Sequence, residues 1–139
     1  MSNVVVVDAS VALSWLLPGE ETDKTLTLRN QAVKDRAVKL LVPPIFWYEV
    51  ANVLWVAVKR GRVVKSMAME ALNALLDFQF DIAVTDPAVN ISISFDQNIA
   101  VYDSAYLSVA QSYNANLWTI DKGLAKVAQN LNILVEPKT

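Results

Sequence analysis

NVVVVDAS, residues 3–10, decides the fold. Four valines in a row show no alternation of apolar and polar positions, so the strand they predict must be buried on both faces. That burial belongs to a parallel sheet covered by helices, and the abrupt Asp8 marks the strand's carboxyl end. The same pattern recurs outward from it. Residues 38–42 predict a second strand stopped by Pro43-Pro44. FDIAV (80–84), ANLWTI (115–120) and NILV (132–135) predict a third, fourth and fifth. Helices are expected over VALSWLL (11–17), ended by Pro18-Gly19, over 22–37 with Leu26, Val33 and Ala37 inward, and over 45–60, ended by Gly61. Another spans 65–79, where Met67, Ala71, Leu72, Leu75 and Leu76 recur at helical spacing. Asp86-Pro87 reads as a cap and first helical residue, opening a helix to about 95. Further helices are expected at 102–114 and 122–130. Strands alternating with helices mean an α/β fold with a mostly parallel sheet.

At 139 residues the chain is expected to form one domain, 1–139, with a substantial core. Hydrophobic residues make up 54% and charged residues 19%, rich for a fully wetted surface. Part of that excess fills the sheet. The rest, including some of the four tryptophans, suits a subunit interface. A net charge of −2 provides no global basic field, so a nucleic-acid partner must be held by a local patch. No run reaches the ~18 apolar residues of a membrane span, because Glu49 divides the best candidate. The N-terminus lacks the basic segment of a signal peptide. A cytoplasmic protein without membrane contact is expected.

Absences prune the chemistry. With no histidine and no cysteine there is no Ser-His-Asp triad, no thiolate and none of the usual zinc sites. Gly19, Gly61 and Gly123 are the only glycines, too few and too scattered for a phosphate loop or dinucleotide fingerprint. Carboxylate chemistry remains.

Four acids interrupt strongly apolar sequence: Asp8, Glu49 in FWYEVANVLWVAV, Asp103 in VYDSAYLSVA and Asp121 in LWTIDKGLA. Burying a carboxylate is costly unless it is hydrogen-bonded, paired or bound to metal. Asp8 and Asp121 directly follow strands, so both belong at the carboxyl edge of the sheet, where open α/β folds gather ligands. Asp103 opens the helix that leads into the fourth strand. Glu49 lies one turn into its helix, with Asn52 following at i+3. An Asp between strand and helix can equally be an N-cap, but a mid-helix glutamate is no cap. Asp86 reads as such a cap and Asp96 as part of a polar loop. Few cations lie near the four acids in sequence, so Mg²⁺ or Mn²⁺, one or two ions, is the expected occupant of an all-oxygen site.

In order and context these residues resemble PIN domains, particularly the VapC-type toxins of bacterial and archaeal toxin–antitoxin pairs. The resemblance spans nearly the whole chain. It is carried by the strand into D-A-S, by Pro-Pro followed by E-V-x-N, by Y-D-x-x-Y-L-x-x-A and by T-x-D-x-x-L. It implies a three-layer α/β/α sandwich with a parallel sheet of about five strands. It also implies a Mg²⁺- or Mn²⁺-dependent ribonuclease, usually a homodimer, silenced by an antitoxin protein. Asp8, Glu49, Asp103 and Asp121 match the family's four acids, as catalytic residues and metal ligands. Ser10, Asn52 and Thr119 match its hydroxyl and amide positions.

On this reading the ion activates a water against an RNA phosphodiester, the task a missing histidine leaves open. Ser10 and Asn52 are expected to support the acids or touch phosphate, and Lys122 to contact phosphate. The densest cationic run is Lys59, Arg60, Arg62 and Lys65, with Lys122 and Lys126 close to Asp121. Two alternatives stand beside the nuclease. One is a phospho-accepting α/β domain using Asp8. The other is a non-catalytic interaction module presenting Trp15, Trp47, Trp55 and the seam VLWVAV.

Overall fold

The computed structural model describes residues 3–34 and 38–138. Five strands, β1 (Val4–Val7), β2 (Lys39–Val42), β3 (Asp81–Ile82), β4 (Asn116–Trp118) and β5 (Val135–Glu136), form one sheet in the order β3-β2-β1-β4-β5. Every pairing is parallel. The helices are α1 (Ala9–Ser14), α2 (Asp23–Lys34), α3 (Ile45–Lys59), α4 (Lys65–Leu76), α5 (Pro87–Gln97), α6 (Val101–Tyr113) and α7 (Lys122–Asn130).

The strand order explains the layers. From β1 through β2 to β3 the chain steps one way across the sheet; from β3 it crosses back to β4 and continues to β5. Right-handed crossovers then put α1–α4 on one face and α5–α7 on the other, a three-layer α/β/α sandwich. The direction reverses between β1 and β4, whose carboxyl ends therefore flank a crevice. Burial follows this plan. Val6, Val7, Leu117 and Trp118 of the two central strands are fully buried.

Several boundaries differ from the sequence expectation, each for a local reason. Helix α1 starts at Ala9 rather than 11, because Val11 N and Ala12 N already bond to Asp8 O. Left-handed Asn98 and Asn114 stop α5 and α6, and left-handed Gln79 closes the turn after α4. At the end of α7, Ile133 N bonds back to Ala128 O past left-handed Asn132. That closing turn uses residues 131–133, so β5 begins at Val135 instead of 132. Asp96 lies in the last turn of α5, not in a loop. Residues 35–37 of the second expected helix, Ala37 included, lie outside the described residues.

The aromatic residues divide sharply. Trp15 is core, stacked on Phe78 at 5.1 Å with its indole N–H donating to Thr25 O at 2.8 Å. Trp47 is half-buried against Phe46 and Phe80. Only Trp55 of the three expected docking tryptophans is exposed, with Lys59 Nζ 5.0 Å above its ring. Among the described residues no helix is long and apolar enough to cross a membrane.

Candidate active site

Asp8 follows the last residue of β1, and its N–H donates to Trp118 O of β4 at 2.9 Å. The β1–β4 register therefore sets Asp8 beside Thr119, in the crevice where the chain direction reverses. Two hydroxyls converge on one oxygen there: Ser10 Oγ donates to Asp8 Oδ2 at 2.7 Å and Thr119 Oγ1 at 2.8 Å. Each hydroxyl is itself fixed by the backbone that leads into α7. Ile120 N donates to Ser10 Oγ at 3.2 Å, and Asp121 N to Thr119 Oγ1 at 3.0 Å. With those lone pairs engaged, both hydroxyl hydrogens point to Asp8.

The other three acids arrive from separate elements. Asp121 is exposed and does cap α7, accepting from Leu124 N at 3.1 Å through Oδ1. Asp103 stands half-buried in the first turn of α6, where it makes no cap bond. Glu49 projects from the second turn of α3, and Tyr106 donates to its Oε1 at 2.5 Å. Asp8 occupies the N-cap position of α1 without forming a side-chain cap bond. So of the three aspartates that could have been caps, one is.

The acids influence one another. Burial raises the pKa of Asp8 above its ordinary value; the Ser10 and Thr119 hydroxyls oppose the rise, and the charge of Asp121 adds to it. Burial likewise raises Glu49, with the Tyr106 hydrogen bond opposing and the charges of Asp8 and Asp103 adding. Asp103 is raised by burial and then by Asp121 and Asp8. Tyr106 is fully buried, and its hydroxyl is pushed far up by burial and by the charge of Asp8, so it remains a donor. Among the described residues the ion pairs are Lys39–Asp81 and Arg62–Glu20, both 3.8 Å, and neither touches this cluster. Among the described residues, no ion pair offsets the acids' mutual repulsion directly.

The donor chemistry fits a hard divalent cation: oxygen atoms only, net negative, with no lysine or arginine paired to them. The placement is open rather than closed. Among the described residues no three acids stand close enough to ligate one ion as they lie. Of the four acids, Asp8 is the one held by a hydroxyl pair.

The supporting residues separate as well. Ser10 and Thr119 sit directly behind Asp8. Asn52 is exposed one turn beyond Glu49, and Lys122 is exposed as the first residue of α7. Of the run Lys59, Arg60, Arg62 and Lys65, the last three follow in the connection up to the first residue of α4, and Lys59 ends α3 about ten residues beyond Glu49. At ~1.5 Å per residue that is roughly 15 Å away, toward the opposite edge of the sheet. Tyr106 carried no expected role, although it is the second tyrosine of Y-D-x-x-Y. Its place three residues after Asp103, on the same helical face, was the available signal.

The model of the PIN domain family matches residues 5–130. The chain belongs to the PIN domain family. Ribonuclease VapC3 of Pyrobaculum aerophilum is 29% identical to this PIN domain over 126 residues, covering 88% of this chain and 92% of the relative. Three solved structures share its fold. PAE2754 from P. aerophilum superposes with a TM-score of 0.74 at 23% identity, covering 94% of this chain and 82% of that one. VapBC2 from Rickettsia felis, solved bound to a DNA fragment from the promoter, gives 0.66 at 14%, covering 96% and 97%. FitAcB from Neisseria gonorrhoeae gives 0.65 at 15%, covering 94% and 95%.

Proposed function

We propose that this PIN domain is a divalent-metal-dependent endoribonuclease acting as the toxin of a toxin–antitoxin pair, with Asp8, Glu49, Asp103 and Asp121 as its catalytic, metal-holding acids. The observation that carries the reading is the mutual electrostatic influence of those four acids, none of them in an ion pair among the described residues, at the carboxyl edge where the sheet reverses direction. Similarity to Ribonuclease VapC3 supports the substrate class, and the fold shared with VapBC2 supports an antitoxin partner. A cytoplasmic setting and self-association into a homodimer belong to the same reading. The apolar groove between α3 and α4, lined by Leu54, Trp55, Val58, Met69 and Leu72, supports contact with another protein. Phosphoryl acceptance by Asp8 fits less well, since the carboxylate is buried and already holds two hydroxyls.

When bound, Mg²⁺ or Mn²⁺ would supply water activation near neutral pH and positive charge beside the phosphodiester. The chain's own contribution is orientation. Ser10 and Thr119 fix Asp8, Tyr106 fixes Glu49, and the first turn of α7 fixes Asp121. Lys122, the exposed first residue of α7 next to Asp121, would contact a phosphate oxygen on this reading. Asn52 is exposed on the Glu49 helix and available to the strand.

The direct test is cleavage of single-stranded and structured RNA in Mg²⁺ or Mn²⁺, with EDTA as control. Cleavage that stops in EDTA and returns with excess Mn²⁺ is expected; cleavage that persists in EDTA rejects the metal, and none in either ion rejects the nuclease. Tyr106→Phe removes only the hydroxyl that orients Glu49. It should lower kcat by about 10- to 100-fold, the usual effect of losing a partner behind a ligand. It should also raise the Mn²⁺ concentration giving half-maximal rate, a shift that loss of packing alone does not produce.

A further inference from the structure

The cluster opens on one side into a groove of about 510 Å³, shared by Thr119 and Asp121 with α7, the start of α2 and the chain's C-terminal segment. Four lysines line it: Lys24, Lys122, Lys126 and Lys138. They are a third of the chain's 12 lysines and arginines, while Asp121 is the only acid among the lining residues. A protein of net charge −2 thus sets one of its two groups of four cations beside its acids. Lys122 and Lys126 are four residues apart on α7 and share its exposed face. Lys24 Nζ donates to Lys138 O at 2.7 Å, tying the α2 end of the groove to the C-terminal segment. The inner wall is apolar, formed by Ala125, buried Ile133 and half-buried Val135.

Resting on the ribonuclease reading, we infer that this groove is the track along which the RNA strand continues from the scissile phosphate, held by Lys126, Lys138 and Lys24 beyond Lys122. Lysines along the groove meet successive phosphates as point charges, and an apolar wall accepts base and sugar faces that are not buried in a duplex. The strand is therefore single-stranded where it occupies the groove. The equally numerous basic run at Lys59–Lys65 lies at the other edge of the sheet and plays no part in holding it.

The test is anisotropy of a labelled 12-nucleotide single-stranded RNA across a KCl series, with EDTA present so that the strand survives. Each neutralised phosphate contributes about 0.7 to the slope of log affinity against log salt for a single strand. The double variant K126Q/K138Q should therefore flatten the slope by about 1.4 and weaken binding roughly 25-fold at 0.1 M salt. The variant K59Q/K65Q should stay within twofold of wild type. Equal behaviour of the two variants, or absence of RNA binding by wild type, overturns the groove assignment. So does a loss for K126Q/K138Q that appears with an acidic peptide of matched charge and not with RNA. Cleavage measured in parallel with Mg²⁺ separates this outcome from failure of the nuclease reading: a wild type that cleaves while both variants bind alike keeps the nuclease and rejects only the track.

Discussion

Asp8→Asn is expected to lower RNA cleavage by on the order of 10³-fold while the protein melts no lower than wild type in the absence of divalent ion. The substitution keeps size and one acceptor oxygen and removes the charge. Ser10 and Thr119 can still donate to that oxygen, as they do to Asp8 Oδ2 at 2.7 and 2.8 Å. Lost instead is a buried anion among three others, and removing one electrostatic group from an active site typically costs 10²–10³ in rate. Asp8→Ala is the informative contrast. It leaves the Ser10 and Thr119 hydroxyls without an acceptor in a buried setting, which costs about 1–3 kcal/mol. Thermal melts and initial rates on the same preparations check both. An Asp8→Asn protein that cleaves within tenfold of wild type would refute the assigned role, as would one that melts well below Asp8→Ala.

The second large effect is on stability. Asp8, Glu49 and Asp103 all have pKa values raised in the folded protein, chiefly by burial. The folded state therefore binds more protons than the unfolded state in the window from the ordinary carboxyl values up to the raised ones. Stability of the ion-free protein falls as pH rises through that window, the reverse of a chain stabilised by salt-bridged carboxylates. On the proposed reading, a divalent ion would offset the repulsion that remains at neutral pH. At a hundred times its dissociation constant it contributes ~2.7 kcal/mol, a rise of several degrees in melting temperature. At pH 4 protons compete for the same oxygens, so the rise shrinks toward zero. Melts with EDTA or Mn²⁺ at pH 4 and pH 7.5 measure all four corners. A shift of equal size at both pH values, or none at pH 7.5, contradicts the assignment.

Much of this arrangement was legible in the residues, because burial on two faces leaves an unambiguous mark. VVVV can only be a central strand, and Asp8 after it and Asp121 after LWTI must then share the carboxyl edge. Asp103 was legible at one remove, since a helix entering a parallel strand has to start at that edge. Element ends were less readable. Asn98, Asn114 and Asn132 stop their helices through left-handed backbone, a role that asparagine fills without being obliged to. The fifth strand moved by three residues for that reason. Long-range choices left no local trace at all. That Tyr106 reaches Glu49, 57 positions earlier, depends on how α3 and α6 meet across the sheet edge. That Lys138 shares a groove with Asp121 and Lys126 depends on how β5 pairs beside β4. Charge density along the chain instead pointed to Lys59–Lys65, which the fold carries to the wrong edge.

Anomalous diffraction from crystals soaked in Mn²⁺ probes the shared acid site most directly. A peak within ligating distance of Asp8 and at least one of Asp103, Glu49 and Asp121, absent from Asp8→Asn crystals, is the predicted result. Saturating Mn²⁺ with no peak among these side chains, or a peak that persists in Asp8→Asn, would contradict it.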